Sequence, residues 1–333
     1  MKEEEILSLV SKEYDLKCDR IEKIKNVYKI IGDEDDYCLK VIKYEYSHFI
    51  FILSAINHLQ NRGFKTTPEI ISNINGVKFI KFDNKYAYLT KWILGRESNY
   101  DNPIELENAT IKLAELHKKS EGFNITKEMK PRIGWFSWIK VFSTRRNEIL
   151  DFQNRIYQKA YKDEFDKFYL SYIDEEIDRA NRAIEGLKKS NYYEYMDKQV
   201  YRRGFCHHDY ANHNIIIDKN YNMNIIDFDY CILDTPIHDL SSLLIRSMKN
   251  RRWDVDKGKK IINAYNNVNP LEPGYLSIMK EFIRFPQAFW QIGLQKYWEQ
   301  QPWDKELFLS KISKYVEDRN DKEEFIDNFS EEG

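Results

Sequence analysis

The chain has 333 residues, 42% of them hydrophobic, and a formal net charge of −2, enough apolar material for one large core or two smaller ones. That balance gives no basic footprint for nucleic acid and no apolar run of about eighteen residues for a membrane span. The opening M-K-E-E-E-I-L-S-L-V lacks the basic flank and apolar stretch of a signal peptide, so a cytoplasmic protein is expected. Cys18, Cys38, Cys206 and Cys231 form no C-x-x-C pair and are expected to be reduced thiols rather than a zinc site or a disulfide framework.

Residues 3–14 carry Ile6, Leu7, Leu9 and Val10 behind an acidic first turn, which predicts a short helix. Short apolar or alternating runs at 21–25, 27–31 and 37–42 predict strands, with the turn G-D-E-D-D at 32–36 between the last two. A helix follows over 46–61, its apolar face Phe49, Ile50, Leu53, Ile56 and Leu59 ending before Gly63. Further strands at 70–72, 77–82 and 86–90 complete a small antiparallel sheet. Beyond residue 94 the pattern is mainly helical. Pro103 opens a helix to about residue 119, and residues 135–189 should form two or more helices. More helices are expected at 243–248, 255–266, 275–283 and 288–298, and the acidic tail after Ser313 is expected to fray at its end. Two domains are therefore expected, one with a small sheet over 1–94 and a helical one over 95–333.

The helical pattern is interrupted by G-F-C-H-H-D-Y-A-N-H-N-I-I-I-D-K-N-Y-N-M-N-I-I-D-F-D at 204–229. Two short β-branched runs, 214–217 and 223–226, flank a turn-rich segment and should pair as a hairpin. Its ends then bring Asn214 and Asp227 close enough to share one divalent cation, with Asp209 on the preceding loop facing the same place. In an extended segment Asp229 points to the same side as Asp227, as an auxiliary metal or water contact. A loop of Asp, Asn and His also forms for purely structural reasons. An apolar strand delivering I-D-F-D after H-x-D-x-x-x-x-N is what tips the reading toward magnesium and phosphoryl transfer. A zinc site built from His207, His208 and His213 is disfavoured, since no thiolate accompanies them.

This segment resembles the catalytic core of the aminoglycoside phosphotransferase and choline kinase group, relatives of the protein kinases. The chain as a whole is most similar to the CotS family of spore coat proteins, through Y-C-L-K-V-I-K at 37–43, L-T-K-W-I-L-G-R-E at 89–97, L-A-E-L-H at 113–117 and R-F-P-Q-A-F-W at 284–290. The resemblance implies an α+β, two-lobed kinase-like fold with a sheet lobe followed by a helical lobe. It implies Asp209 as the general base, His207 as a brace of the catalytic loop, Asn214 and Asp227 as magnesium ligands, and Asp239 as a support of the loop backbone. Lys40 takes the place of the lysine that pairs the α and β phosphates of ATP. Trp92 and Ile93 lie on the connector against which a purine would rest.

Two departures stand out. No acidic residue occurs from Tyr46 to Gln60, so the glutamate that should pair with Lys40 is missing from the helix, and the segment Lys25-Asn26-Val27-Tyr28-Lys29 has no glycine-rich lid. The expected activity is ATP- and magnesium-dependent transfer to a hydroxyl of a small molecule or a spore coat component. The alternative is a kinase-shaped coat scaffold of weak or no activity.

Overall fold

The computed structural model describes residues 2–82 and 85–330. The chain divides into two compact units, one made of Met1–Arg132 with Arg203–Leu233 and the other of Ile133–Arg202 with Asp234–Gly333. Residue 94, where the sequence pattern turns helical, lies inside the first unit.

The first unit opens with α1 (Glu3–Tyr14). Strands β1 (Cys18–Ile24), β2 (Val27–Gly32) and β3 (Asp36–Ile42) form a meander, followed by α2 (Tyr46–Asn61). Strands β4 (Ile70–Ile71), β5 (Ile80–Phe82) and β6 (Lys85–Lys91) complete an antiparallel sheet in the order β1-β2-β3-β6-β4, with β5 also on β6. Strand β3 is interior, so alternate residues are covered on both sides. Leu39 and Ile30 join Ile6, Val10, Ala87 and Leu89 in the core beneath α1, while Lys40 points to the opposite face.

A second, three-stranded antiparallel sheet is built from β7 (Gly95–Glu97), β8 (Ile215–Asp218) and β9 (Met223–Ile225). The β8–β9 hairpin is the expected one, and its turn is closed by Asp218 Oδ1, which accepts from the amides of Asn220 and Asn222 at 2.8 and 2.9 Å. Strand β7 was not expected. Gly95 is required there, because a Cβ would stand 2.3 Å from the Ile217 carbonyl oxygen. Helix α3 (Pro103–Ser120) is capped by Asn102, whose side chain accepts from Ile104 and Glu105 amides.

The second unit is helical: α4 (Trp138–Gln158), α5 (Glu164–Lys189), α6 (Tyr192–Arg202), α7 (Ile237–Met248), α8 (Val255–Asn266), α9 (Tyr275–Arg284), α10 (Gln287–Gly293) and α11 (Lys305–Asn328). Its core packs Phe152, Phe165, Tyr169, Phe289, Phe308 and Ile312. The chain after Ser313 continues α11 to Asn328, because Tyr315, Arg319, Lys322, Phe325 and Ile326 form a buried stripe at helical spacing; the last three residues of the tail, where fraying is expected, lie outside the described residues. The helix expected at 288–298 changes after Gly293 into a π-helical turn, Leu294–Trp298. Among the described residues no helix is long and apolar enough to cross a membrane. The four cysteines are free, Cys206 and Cys231 buried and the other two half-buried.

Candidate active site

Lys40 lies on β3 opposite Tyr88 of β6 and Val27 of β2 and is only 6% exposed. Its ammonium donates to Asp227 Oδ1 at 2.9 Å and is 3.1 Å from Asp229 Oδ2. Burial alone would push the lysine down, but the charges of Asp229 and Asp227 outweigh it and hold its pKa above the ordinary value. The partner missing from α2 is thus supplied by the hairpin segment. From α2 it is His48, not an acid, that comes near this place, its Nδ1 3.3 Å from the Lys130 carbonyl and burial lowering its pKa.

Asp227 has left-handed backbone geometry, φ 67° and ψ 68°, and residues Phe228–Tyr230 make a 3-10 turn. The extended path expected between Asp227 and Asp229 is therefore absent. The left-handed residue turns the chain at the end of β9, and both carboxylates reach Lys40 by that turn rather than by strand alternation. Burial raises the pKa of Asp229, with Lys40 opposing the rise and Asp227 adding to it. Its Oδ1 is buried and has no hydrogen-bond partner among the described residues.

Asn214 closes a 3-10 turn, Asn212–Asn214, just before β8. Its Nδ2 donates to the Asp209 carbonyl at 2.9 Å and to Asp209 Oδ2 at 3.1 Å, which fixes the Asp209 carboxylate and leaves Asn214 Oδ1 as an acceptor. The loop is tied down from several sides. Tyr210 Oη donates to the Ala109 carbonyl in α3 at 2.8 Å, and Tyr100 Oη donates to the Tyr210 carbonyl at 3.2 Å. His207 is buried with Nε2 3.0 Å from the Ile226 carbonyl and its ring 4.7 Å from that of Phe228. The Ile226 amide donates to the Asn214 carbonyl at 2.9 Å. His213 is exposed while His207 is buried, so the histidines do not form a common cluster.

A cavity of about 370 Å³ opens beside Lys40, with Cys38, Tyr88, Trp92, Ile93 and Phe228 among its walls. The Trp92 amide donates to the Asp36 carbonyl at 2.8 Å, so it is already engaged, and Ile93 and Leu94 also line the cavity. Burial pushes the Cys38 thiol up to about 11, a neutral and apolar wall group. Asp239 is buried in the first turn of α7, in the other unit, with His238 Nδ1 3.6 Å away.

Two features escape sequence reasoning. Arg132 has its guanidinium between the rings of Tyr44 and Tyr230, at 5.2 and 5.4 Å, and its charge helps hold Asp229 down. The Asp229–Lys40 pair is the other, since nothing local to either residue announces a contact between β3 and the end of the hairpin.

The family model described as "Spore coat putative kinase YutH" matches residues 7–329. The chain belongs to this spore coat YutH family. Spore coat protein S of Bacillus subtilis (strain 168) is 25% identical over 338 residues, covering 99% of this chain and 95% of that protein, in line with the CotS resemblance. Among solved structures, an aminoglycoside phosphotransferase from Alicyclobacillus acidocaldarius superposes with a TM-score of 0.83 at 20% identity, covering 96% of this chain and 93% of the other. Spectinomycin phosphotransferase APH(9)-Ia, in complex with ADP and spectinomycin, gives 0.67 at 15% identity with 98% of each chain covered. Choline kinase LicA from Streptococcus pneumoniae gives 0.54 at 14% identity, covering 98% and 99%. At these identities the likeness establishes the fold: this YutH-family chain has the aminoglycoside phosphotransferase-like kinase fold, an antiparallel amino-terminal sheet followed by a mostly helical part.

Proposed function

We propose that this YutH-family protein transfers the γ-phosphate of ATP to a hydroxyl of a small molecule or of a spore coat component. The observation that carries the reading is the Lys40–Asp227–Asp229 cluster at the rim of an apolar cavity, next to an Asp209 carboxylate held by Asn214. The relatives in complex with nucleotides support the cavity as an ATP site.

A magnesium ion suits the residues present. Asn214 Oδ1, the Asp227 carboxylate and the buried, unpartnered Asp229 Oδ1 are hard oxygens of the kind Mg²⁺ takes. When bound, the ion would neutralise phosphate charge and leave the nucleotide's terminal phosphorus open to attack. The chain's own residues do the rest. Lys40 pairs with phosphate oxygens, exchanging part of its contact with the two aspartates. Ile93 and Leu94 offer backbone groups to the purine, against the apolar wall that includes Trp92. Asp209, aligned by two bonds from Asn214, accepts the proton of the acceptor hydroxyl as its oxygen attacks in line. His207 is assigned to holding the loop, through the Ile226 carbonyl.

One observation favours the scaffold reading. Ile24 pairs directly with Val27, so β1 and β2 are joined by the two-residue turn Lys25-Asn26, with no glycine loop to cover phosphates. Thermal shift with ATP and magnesium separates the two readings. A shift lost in Asp227→Ala is expected for the kinase, and no shift in the wild type would refute it.

A further inference from the structure

A second cavity, of about 380 Å³, lies wholly within the helical unit, among α7, α9, α10 and α11. One face of α11 lines it with Lys311, Lys314, Tyr315, Asp318 and Lys322, which recur at helical three- and four-residue spacing. Gln287, Gln291 and Gln295, four residues apart along α10 and the π-helical turn, line it with amides, and Lys249 adds a further ammonium. Four lysines and one aspartate share the walls.

Lys322 is the anomaly. It is 7% exposed, and its ammonium, 5.9 Å from the centre of the Tyr315 ring, makes no hydrogen bond or ion pair among the described residues. The carboxylates that should neutralise it are committed elsewhere. Glu176 accepts from Tyr315 Oη and from Arg319 Nη1, the latter at 3.2 Å, and has Arg179 Nε at 3.7 Å. Asp318 Oδ1 accepts from Trp253 Nε1 at 2.9 Å and from the Arg251 amide at 2.6 Å. An ammonium on so buried a stem, facing a cavity and without a carboxylate partner, is a natural place for an anion.

We propose that this cavity binds an organic phosphate monoester, its phosphate at Lys322 with Lys249 and Lys314, and its organic part against Trp253, Phe285 and Tyr315. Lysine binds a tetrahedral phosphate as a point-charge donor without a fixed fork geometry, and the cations that line the cavity are all lysines. The lining charge also matches a dianion better than a monoanion.

Burial lowers the Lys322 pKa to about 8, with Glu176 and Asp318 opposing the fall and Arg179 and Arg284 adding to it. Lys249 is lowered as well, by burial and then by Arg246 and Arg252. A phosphate stabilises the charged forms, so its affinity declines as pH rises above about 8, and it declines again below about 6, where the monoester loses its second charge.

Isothermal titration calorimetry of the full chain at pH 7 tests the site with phenyl phosphate, inorganic phosphate and benzoate as probes. Phenyl phosphate should bind most tightly and benzoate least. Lys322→Met, which keeps the apolar stem, should weaken phenyl phosphate by about tenfold or more, and so should the surface double variant Lys249→Ala/Lys314→Ala, which does not disturb the core. Lys40→Met should bind it as the wild type does, separating this cavity from the proposed ATP site. Absence of heat for all three probes up to about 10 mM, unchanged affinity in the lysine variants, or benzoate binding more tightly than phenyl phosphate would each overturn the proposal.

Discussion

Replacing Lys40 with methionine tests whether its ammonium is what makes two carboxylates tolerable beside the first cavity. Methionine keeps most of the buried stem and removes the charge that bonds Asp227 at 2.9 Å and Asp229 at 3.1 Å. Asp229, already raised by burial, would then face Asp227 with no cation between them. Removing one partner of a buried pair costs about 3–5 kcal/mol. The Asp227 side chain is 33% exposed, so water takes up part of this, and a loss of about 2–3 kcal/mol at neutral pH is expected without nucleotide or metal. Adding Asp229→Asn removes the repulsion, so the double variant should be more stable than the sum of the single changes predicts, by about 1 kcal/mol or more. The pH dependence has a definite sign. Losing the ammonium raises the folded-state pKa of Asp229 further above its unfolded value, so the folded state holds a proton that the unfolded chain has released. The deficit is therefore largest above that pKa and shrinks as pH falls. Urea unfolding followed by circular dichroism, for the four proteins at pH 5 and pH 7.5, measures this. Additive losses, or a deficit that does not change with pH, would refute the reasoning.

Asp209→Ala should abolish phosphate transfer while the thermal shift with ATP and magnesium persists; retained turnover would remove Asp209 from its proposed role. Asp234 is fully buried, accepts from the Trp138 indole at 3.0 Å, and is pushed up to about 6 by burial against an ordinary value of 3.8. Because its folded pKa is raised, stability falls as pH rises from about 4 to about 6, by about 3 kcal/mol from this group. Asp234→Asn should therefore gain that much relative to the wild type across the same window, as read from paired urea titrations. Gly95→Ala should destabilise by about 1–3 kcal/mol, measured by the same unfolding, since its methyl meets the Ile217 carbonyl oxygen.

Elements with strong periodicity were legible in the chain. Helices over 3–14 and 46–61 and the hairpin after Asn214 follow from apolar spacing, whereas Lys40 was picked out by the family resemblance. Strand β7 was not, because Gly95, Arg96 and Glu97 are all exposed and show no alternation; backbone pairing with β8 alone makes them a strand. Helix α11 was concealed because its buried stripe includes Arg319 and Lys322, whose polarity reads as a solvated tail. At the candidate site, the approach of the two ends of the hairpin, Asn214 and the segment before Asp227, was readable from spacing. The left-handed turn at Asp227 was not, and with it the route by which Asp229 reaches Lys40. Lys40 lies 187 positions before Asp227, and local propensity carries no information about such a pairing.

The short strand β7 also limits how this protein can vary in length. Trp92 is bonded to Asp36 of β3 and Gly95 pairs with Asp218 of β8, so only two residues, Ile93 and Leu94, span from the large sheet to the small one. One residue inserted there would slide β7 by a step and turn Arg96 to the opposite face, breaking its 2.7 Å ion pair with Glu105. The turn between β8 and β9 has no such constraint beyond its Asp218 cap. Length changes in related chains are expected at 219–222 and not at 93–94.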